Sequence, residues 1–311
     1  LISLGHDVIL ENLSEAAVSL DQLEQFDIEN LDDNFQFYYY LFRGTFFQLK
    51  GDNQYALYNF TLAGKKIKLG LNEVEKAEYY YKIGCIYYFL KRTIDSIHSL
   101  STALSLFKSK KGYERRIASC EIALGLNSVD LRQWEEAEER FYNALNFANK
   151  VEDKSMKALI YHDLGLLYAE QNISKAAIHW LKKSLTADNT KNHITIYLIT
   201  RELFKLGKKS EALNWLSEGI KLSEDQNFNS YIIRFKLLKV LNTADNENII
   251  EASLKEGIDF FIKENSWNLV AENAKYLAEF YTKQQRYKDS VEYYQLMVKA
   301  QNKIFEMGAL K

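Results

Sequence analysis

The chain has 311 residues, of which 47% are hydrophobic and 14% aromatic, enough for a continuous buried core. Its formal net charge of −2 argues against the basic composition typical of nucleic-acid-binding proteins. No apolar run approaches the roughly 18 residues that a membrane span needs, so we expect no membrane partner. Two cysteines, Cys85 and Cys120, predict reduced thiols, and we therefore expect a cytoplasmic protein.

The first predicted element lies in residues 1–34, before any recognisable repeat. Apolar residues from Val8 to Leu23 recur at helical spacing, which predicts one helix over about residues 6–26. We interpret this segment as a linker or as an incomplete helical hairpin. Because the chain opens at Leu1 without a methionine, we expect that its true N-terminus is missing.

The stretch 161–185, YHDLGLLYAEQNISKAAIHWLKKSL, predicts two helices joined by a turn. Small residues at Gly165 and Ala177 let the two backbones approach closely, and Tyr168 and Leu181 fill the space beside them. This order of small and large residues is typical of the tetratricopeptide repeat (TPR). One such hairpin cannot bury both of its faces, so it predicts neighbours of the same kind.

Similar spacing recurs along the chain, and from Gly44 to Gly165 its period is 40 or 41 residues, longer than the roughly 34 of a minimal TPR. We expect long helices to absorb the excess, since the chain has no proline to end them. The positions that carry the pattern are Gly44, Ala56 and Phe60; Gly84, Ser96 and Leu100; Gly125, Ala137 and Phe141; Leu203, Ala212 and Leu216; and Ala278, Ser290 and Tyr294.

The C-terminal third completes the array. Residues 231–264 form a degenerate sixth repeat, interrupted by the loop-like NTADNEN at 242–248. Helices are predicted over 249–263, 266–283 and 287–304. The sequence therefore predicts an all-α fold, a right-handed superhelix of about seven TPR-like repeats, with a peptide-binding domain over 35–311.

Signals for catalysis are weak. The chain has no GxGxxG, GxxxxGK[ST], HExxH, CxxC or GxSxG motif. Its five histidines are not spaced i, i+4 from one another, so we predict no metal site, no cofactor and no enzymatic activity in this chain. The basic residues 108–116 lack interleaved aromatics and are more typical of a solvated turn than of a nucleic-acid site.

The first helices of stacked hairpins are expected to line a concave groove. Apolar walls with a few charged and amide groups suit an extended peptide. Single aromatic positions are more often packing residues. We predict a different role for four charged residues that share one phase of the repeat, namely Arg43, Lys82, Asp163 and Arg201. The predicted peptide-binding residues are Arg43, Gln48, Tyr81, Lys82, Tyr88, Asn127, His162, Asp163, Leu166, Tyr197 and Arg201.

The segments YYYLFRGTFFQLKGDNQYALYNF, YYYKIGCIYYFLKRTIDSIHSL and YHDLGLLYAEQNISKAAIHW resemble the Rap, NprR and PlcR group of peptide-sensing TPR regulators. The resemblance runs from about Tyr38 to the C-terminus. Rap members carry an N-terminal three-helix bundle that acts on response regulators, whereas NprR-like members carry a helix-turn-helix domain. We interpret the chain as an NprR-like repeat domain without its DNA-binding domain.

The resemblance implies a receptor for a short, re-imported signalling peptide in quorum sensing. Peptide capture would switch a homo-oligomer, a dimer or tetramer, and so control transcription. A sporulation phosphorelay and its response regulator are further possible targets, and DNA would be contacted only through the missing N-terminal domain. At the position of Asp163, family members often have an asparagine, and that asparagine holds the backbone of the ligand. Arg43 matches the family pattern.

Two alternatives remain open at this point. The chain could be a Rap-type response-regulator phosphatase or inhibitor that lacks its N-terminal bundle. It could also be a constitutive TPR scaffold that docks a folded protein. On the sequence alone, an alanine at Arg43 would abolish peptide binding in a receptor and matter little in a scaffold.

Overall fold

A computed structural model describes residues 1–67 and 71–308, and within these ranges the regular structure is helical, with no strand. A single 3-10 turn spans Ile28–Asn30. The α-helices are α1 (Ile2–Ile9), α2 (Leu13–Leu23), α3 (Asp33–Leu49), α4 (Asn53–Lys65), α5 (Glu73–Phe89), α6 (Thr93–Lys108), α7 (Glu114–Asp130), α8 (Trp134–Lys150), α9 (Lys154–Glu170), α10 (Ser174–Ala187), α11 (His193–Lys205), α12 (Lys209–Asp225), α13 (Asn229–Thr243), α14 (Glu247–Lys263), α15 (Trp267–Lys283) and α16 (Tyr287–Gly308).

The helices fall into two compact units. The first unit, Leu1–Val151, contains the hairpins α1–α2, α3–α4, α5–α6 and α7–α8. The second unit, Glu152–Glu306, contains α9–α10, α11–α12, α13–α14 and α15–α16. Within each pair from α3 onward, the odd-numbered helix is called the first helix and the even-numbered helix the second.

Small residues on the first helices bring the two helices of a hairpin together. A Cβ atom added at Gly165 would lie 2.5 Å from Leu181 Cγ, so only glycine leaves room for this leucine. In the hairpin α5–α6 a hydrogen bond also joins the two helices at the repeat glycine, where Ser96 Oγ donates to the carbonyl oxygen of Gly84 over 2.9 Å. The same small-to-large contact joins Gly44 to Phe60, Gly84 to Leu100 and Gly125 to Phe141.

Left-handed residues end the helices in place of proline. Gly51 and Gly207 have φ of 80° and 70°, at the turns after α3 and α11. Lys91 and Asn172 adopt φ of 57° and 59° at the matching turns after α5 and α9, although side-chain-bearing residues rarely adopt this region. Helices of up to 17 residues between such turns account for the long repeat, as predicted.

The predicted single helix over residues 6–26 is wrong. Helix α1 ends at Ile9 and α2 begins at Leu13, because Glu11 adopts φ of 57° and reverses the chain. Buried residues of both helices then pack against α3. Leu4, Val8, Ala16 and Leu20 form one cluster with Tyr39 and Phe46.

The predicted all-α fold of about seven TPR-like hairpins is confirmed. Seven hairpins, α3–α4 to α15–α16, follow the N-terminal pair in the described chain. Asp32 caps the beginning of α3, since its carboxylate accepts hydrogen bonds from the amides of Asn34 and Phe35. The loop expected near 242–248 is shorter than predicted, because α13 continues to Thr243 and α14 begins at Glu247.

Candidate functional site

The first unit contains a cavity of about 790 Å³ on the side of the first helices α3 and α5. This volume lies within the range of small-ligand sites. The end of α1 and the beginning of α7 also contribute lining residues. The lining residues are Val8, Ile9, Glu11, Tyr38, Leu41, Phe42, Thr45, Gln48, Leu49, Val74, Glu75, Glu78, Tyr81, Lys82, Cys85, Phe89 and Arg116.

The acidic side chains from α5 in this first cavity already have partners. Glu75 accepts a hydrogen bond from the Tyr38 hydroxyl and caps its own helix through the amide of Asn72. The carboxylate of Glu78 accepts a hydrogen bond from Arg116 Nε. The Arg116 guanidinium also lies 5.5 Å from the ring centre of Tyr81. Both carboxylates are therefore held in place before any ligand arrives.

Lys82 is held differently. Burial is the main cause that lowers the pKa of its ammonium group, while Glu78 acts in the opposite sense. The adjacent thiol of Cys85 has a pKa raised to about 11 by burial, so it carries no compensating charge at neutral pH. A buried cation beside neutral groups favours binding of an anion.

Three predicted residues, Gln48, Tyr81 and Lys82, line this first cavity together. Arg43 does not line it. Lys82 precedes its repeat glycine, Gly84, by two residues, whereas Arg43 directly precedes Gly44. One residue rotates a helical side chain by about 100°, so Phe42 occupies the matching phase. The predicted common phase of Arg43 with Lys82 is therefore wrong.

Arg43 instead joins α3 to its neighbours. Its Nη2 lies 2.7 Å from Glu24 Oε1, just after α2, and its guanidinium carbon lies 5.4 Å from the ring centre of Tyr55 in α4. The Nε atom is buried without a hydrogen-bond partner in the described chain. A peptide-binding role for Arg43 stays a prediction.

Two further predicted residues of the first unit lie apart from the first-cavity lining. Asn127 is only 1% exposed, and its Nδ2 donates to Ser96 Oγ over 3.0 Å and to the carbonyl of Ala123. Tyr88 is half-buried, with Lys91 Nζ 5.1 Å from its ring centre. Asn127 therefore joins α7 to the preceding hairpin.

A second cavity, of about 270 Å³, lies in the second unit and is formed by the first helices α11, α13 and α15 alone. It brings together the predicted residues Tyr197 and Arg201. Its other lining residues are Lys205, Arg234, Leu237, Leu238, Leu241, Asn242, Leu269, Glu272, Asn273 and Tyr276. A third cavity of about 320 Å³, between α14 and α16, contains residues outside the prediction.

The cations of the second cavity differ in their partners. Arg201 Nε donates to Glu202 Oε1 over 2.9 Å, and Lys205 Nζ lies 2.9 Å from the same oxygen. Arg234 instead lies over Tyr197, with its guanidinium carbon 4.2 Å from the ring centre. Burial raises the pKa of the Tyr197 hydroxyl, so Tyr197 stays neutral beside this cation.

His162, Asp163 and Leu166 lie on α9 in the second unit. His162 Nδ1 is 2.8 Å from Thr195 Oγ1, and burial lowers the pKa of its imidazole to about 4. Asp163 is 4% exposed, and its Oδ2 has no hydrogen-bond partner in the described chain. Burial raises the pKa of the Asp163 carboxyl to about 8. Leu166 packs against the apolar cluster of α11 and α12.

The neutral form of Asp163 changes its chemistry. A protonated carboxyl can donate one hydrogen bond and accept others, as an asparagine amide does. Near neutral pH, Asp163 can therefore pair with both a peptide N–H and a peptide carbonyl.

Sequence reasoning missed several cavity residues. In the first cavity these include Tyr38, Phe42 and Arg116, and in the second Arg234 and Glu272. A periodic signal was available for part of this set. Tyr38 and Glu78 stand six residues before Gly44 and Gly84, as the predicted Tyr197 stands six residues before Leu203.

The described residues hold no group of three or more His, Cys, Asp and Glu side chains placed to bind a metal ion. In the same ranges, no helix has both the length and the apolar composition to cross a bilayer.

Family profiles described as tetratricopeptide repeat match residues 77–110 and 116–190. The regulatory protein RapK of Bacillus subtilis is 26% identical over 281 residues, 81% of this chain and 75% of RapK. Response regulator aspartate phosphatase I of the same organism is 22% identical over 98% of this chain and 80% of its own length. The transcriptional activator NprA of Geobacillus stearothermophilus is 24% identical over 95% of this chain and 75% of NprA.

Solved structures share the fold. A Rap protein complexed with competence and sporulation factor superposes with a TM-score of 0.83 at 22% identity, covering 98% of this chain and 86% of that protein. NprR in complex with its cognate peptide NprX superposes with a TM-score of 0.74 at 19% identity, covering 96% of this chain and 84% of NprR.

Proposed function

The homologues of this chain are Rap and NprR regulators built from TPR-like hairpins, and from this relationship we propose that it is the receptor domain of a peptide-sensing regulator. It binds a short, re-imported signalling peptide on the face of its first helices, in the cytoplasm. Peptide binding changes its oligomeric state and thereby controls transcription, as in an NprR-like regulator.

One observation carries this proposal. In each unit, taken separately, a cavity opens on the first helices of successive hairpins. Lys82 lines the first cavity and Arg201 the second, and both stand two residues before the small or apolar residue of their repeat. A repeated inner position that presents polar groups among apolar walls suits an extended peptide.

Asp163 adds a second polar contact at the same repeat position, two residues before Gly165. Its Oδ2 is buried without a hydrogen-bond partner in the described chain, and such atoms are rare in folded proteins. We propose that the amide groups of the bound peptide satisfy it. The neutral carboxyl takes the part that the family resemblance assigns to an asparagine.

The test uses synthetic hepta- and octapeptides taken from the secreted precursors of the same genome. Isothermal titration with the full chain is expected to find one peptide that binds with micromolar or better affinity. The same peptide should change the mass of the assembly measured by light scattering. If every peptide fails to bind and the mass never changes, the receptor proposal is wrong.

A matched pair of variants locates the site. Arg234→Gln removes a cation that lines the second cavity, whereas Lys236→Gln changes an exposed lysine on the same helix. The first change is expected to weaken peptide binding at least tenfold, because hydrogen bonds to charged groups contribute about 1.5–3 kcal/mol. The second should leave the affinity within about twofold.

A second candidate is a Rap-type function, in which the chain is part of a protein that binds a response regulator or dephosphorylates it. The observation that favours it is the similarity to RapK and to response regulator aspartate phosphatase I over most of this chain. Retention of a purified response regulator receiver domain on the immobilised chain, released by the peptide, would distinguish this candidate. An NprR-like regulator that acts on transcription alone expects no retention.

A further inference from the structure

The first cavity holds a cation that the protein itself does not neutralise. In the described part of the chain, no carboxylate lies within salt-bridge distance of Lys82 Nζ. Glu78 is engaged by Arg116, and both oxygens of Glu75 accept hydrogen bonds, from Tyr38 and from the amide of Asn72. Glu11 also borders the cavity, but its side chain is exposed to solvent.

On its own helix Lys82 has Glu78 one turn before it, already paired with Arg116, and the neutral side chains of Tyr81 and Cys85 beside it. The neighbouring Cys85 sulfur and, after it, burial raise the pKa of the Tyr81 hydroxyl, and burial raises the pKa of the Cys85 thiol. Neither group therefore supplies a negative charge near pH 7. A single anion bound next to Lys82 would therefore neutralise the buried cation of this cavity.

Apolar side chains form much of the remaining wall. Val8 comes from α1, Leu41 and Phe42 come from α3, and Val74 and Phe89 come from α5. Phe89 is 56% exposed, which is unusual for a phenylalanine and leaves its ring available to a ligand. With a volume of about 790 Å³, the cavity can bury an apolar group larger than one side chain.

We propose that the first cavity binds an apolar group that carries one carboxylate, with Lys82 as the counter-ion and α1, α3 and α5 enclosing the apolar part. This proposal does not depend on the receptor function, because any ligand with an apolar group and one carboxylate could make these contacts, whatever its origin. Two sources share that chemistry, namely a free aliphatic carboxylic acid and the C-terminal residue of an apolar peptide.

Two acids and their neutral analogues test the proposal on the full chain by isothermal titration. Decanoate and decanol represent the free aliphatic acid, while N-acetyl-Leu-Phe and its amide represent a peptide C-terminus. At least one acid is expected to bind ten times more tightly than its neutral analogue. Hydrogen exchange should slow in α1 and α5 when it binds, because both helices line the cavity.

Three lysine variants separate the role of the charge from folding. Lys82→Met is expected to remove the preference for the acid while keeping the helix, since methionine is a good helix former. Lys76→Met, on the same helix but outside the cavity lining, should keep the preference. Lys82→Arg retains the cation and should restore at least part of it, and thermal unfolding monitors the fold of each variant.

The outcomes decide the proposal and the ligand source. Tighter binding of decanoate indicates a free acid, and tighter binding of the dipeptide acid indicates a peptide C-terminus. Equal affinity of acids and neutral analogues, no binding of either acid, or an acid preference that survives in Lys82→Met would overturn it. A signalling peptide could still bind the second unit in those cases, so the two proposals fail separately.

Discussion

At the scale of single residues, burial decides the protonation of the pair His162 and Asp163. The pKa of the Asp163 carboxyl rises from 3.8 to about 8, so the folded chain keeps a proton that the unfolded chain releases above about pH 4. Stability therefore falls as the pH rises from about 4 to 8. His162 acts in the opposite direction, because its lowered pKa of about 4 removes stability as the pH falls below 6.5.

We predict that Asp163→Asn flattens the alkaline side of this profile. The free energy of unfolding of the variant minus that of the wild type should increase by at most about 1.4 kcal/mol for each pH unit between pH 5 and 8, because asparagine has no proton to lose. Urea unfolding at several pH values measures the difference. Glu170→Gln, an exposed change on the same helix, is the control. A constant difference between Asp163→Asn and wild type would show that Asp163 is already ionised at pH 5.

The side chain of Arg43 connects α3 to the end of α2 and to α4. It is 19% exposed, packs beside Tyr55 and pairs with Glu24. We predict that Arg43→Ala lowers the free energy of unfolding by about 1–3 kcal/mol, mostly through lost packing of its long side chain.

A double-mutant cycle with Glu24→Gln measures the ion pair itself. Glu24 is 49% exposed, so the coupling energy should be only about 0.2–1 kcal/mol. A coupling as large as the whole effect of Arg43→Ala would instead assign the stabilisation to the charge pair.

At the scale of the hairpin, the contact between a glycine and a large side chain sets the distance between helices. We predict that Gly165→Ala destabilises the chain by about 1–3 kcal/mol, because the new Cβ would lie 2.5 Å from Leu181 Cγ. The steric cost exceeds the roughly 1 kcal/mol that alanine gains over glycine in helix propensity.

Shortening the opposing side chain tests this explanation. Leu181→Ala alone should cost about 2–5 kcal/mol, as expected for a fully buried leucine. In that background the cost of Gly165→Ala should fall, because the contact with Leu181 Cγ is gone and only the 3.2 Å approach to the backbone nitrogen of residue 181 remains. Equal costs of Gly165→Ala in both backgrounds, measured by urea unfolding, would rule out the steric cause.

At the scale of the whole molecule, stability is expected to vary along the array. Repeats with a neighbour on each side bury more surface than a terminal hairpin. In α1–α2 the apolar side chains of Ile2, Ile9 and Val18 are all more than half exposed. We predict that backbone amides of α1 and α2 exchange with deuterium about ten times faster, or more, than those of α5 to α8. Equal protection would mean that the whole first unit opens as one cooperative body.

The repeat itself could be predicted from the sequence. Gly44, Gly84, Gly125 and Gly165 recur at 40 or 41 residues, and each meets a large residue sixteen positions later. This spacing determines the hairpins, because a small residue and its large partner must face each other across two helices. It also predicted Gln48, Tyr81 and Lys82 as residues of one face, and the fold places these three in one cavity.

Other features of the protein follow only from the tertiary structure, because they depend on contacts between segments that are distant in the sequence. The reversal at Glu11 carries no glycine or proline signal, and it brings α1 against α3. The offset of Arg43 from the phase of Lys82 is readable from its position directly before Gly44, but its pairing with Glu24 depends on a tertiary contact between α3 and the end of α2. The charge state of Asp163 follows from its burial, and burial is a property of the packed hairpins rather than of any residue type.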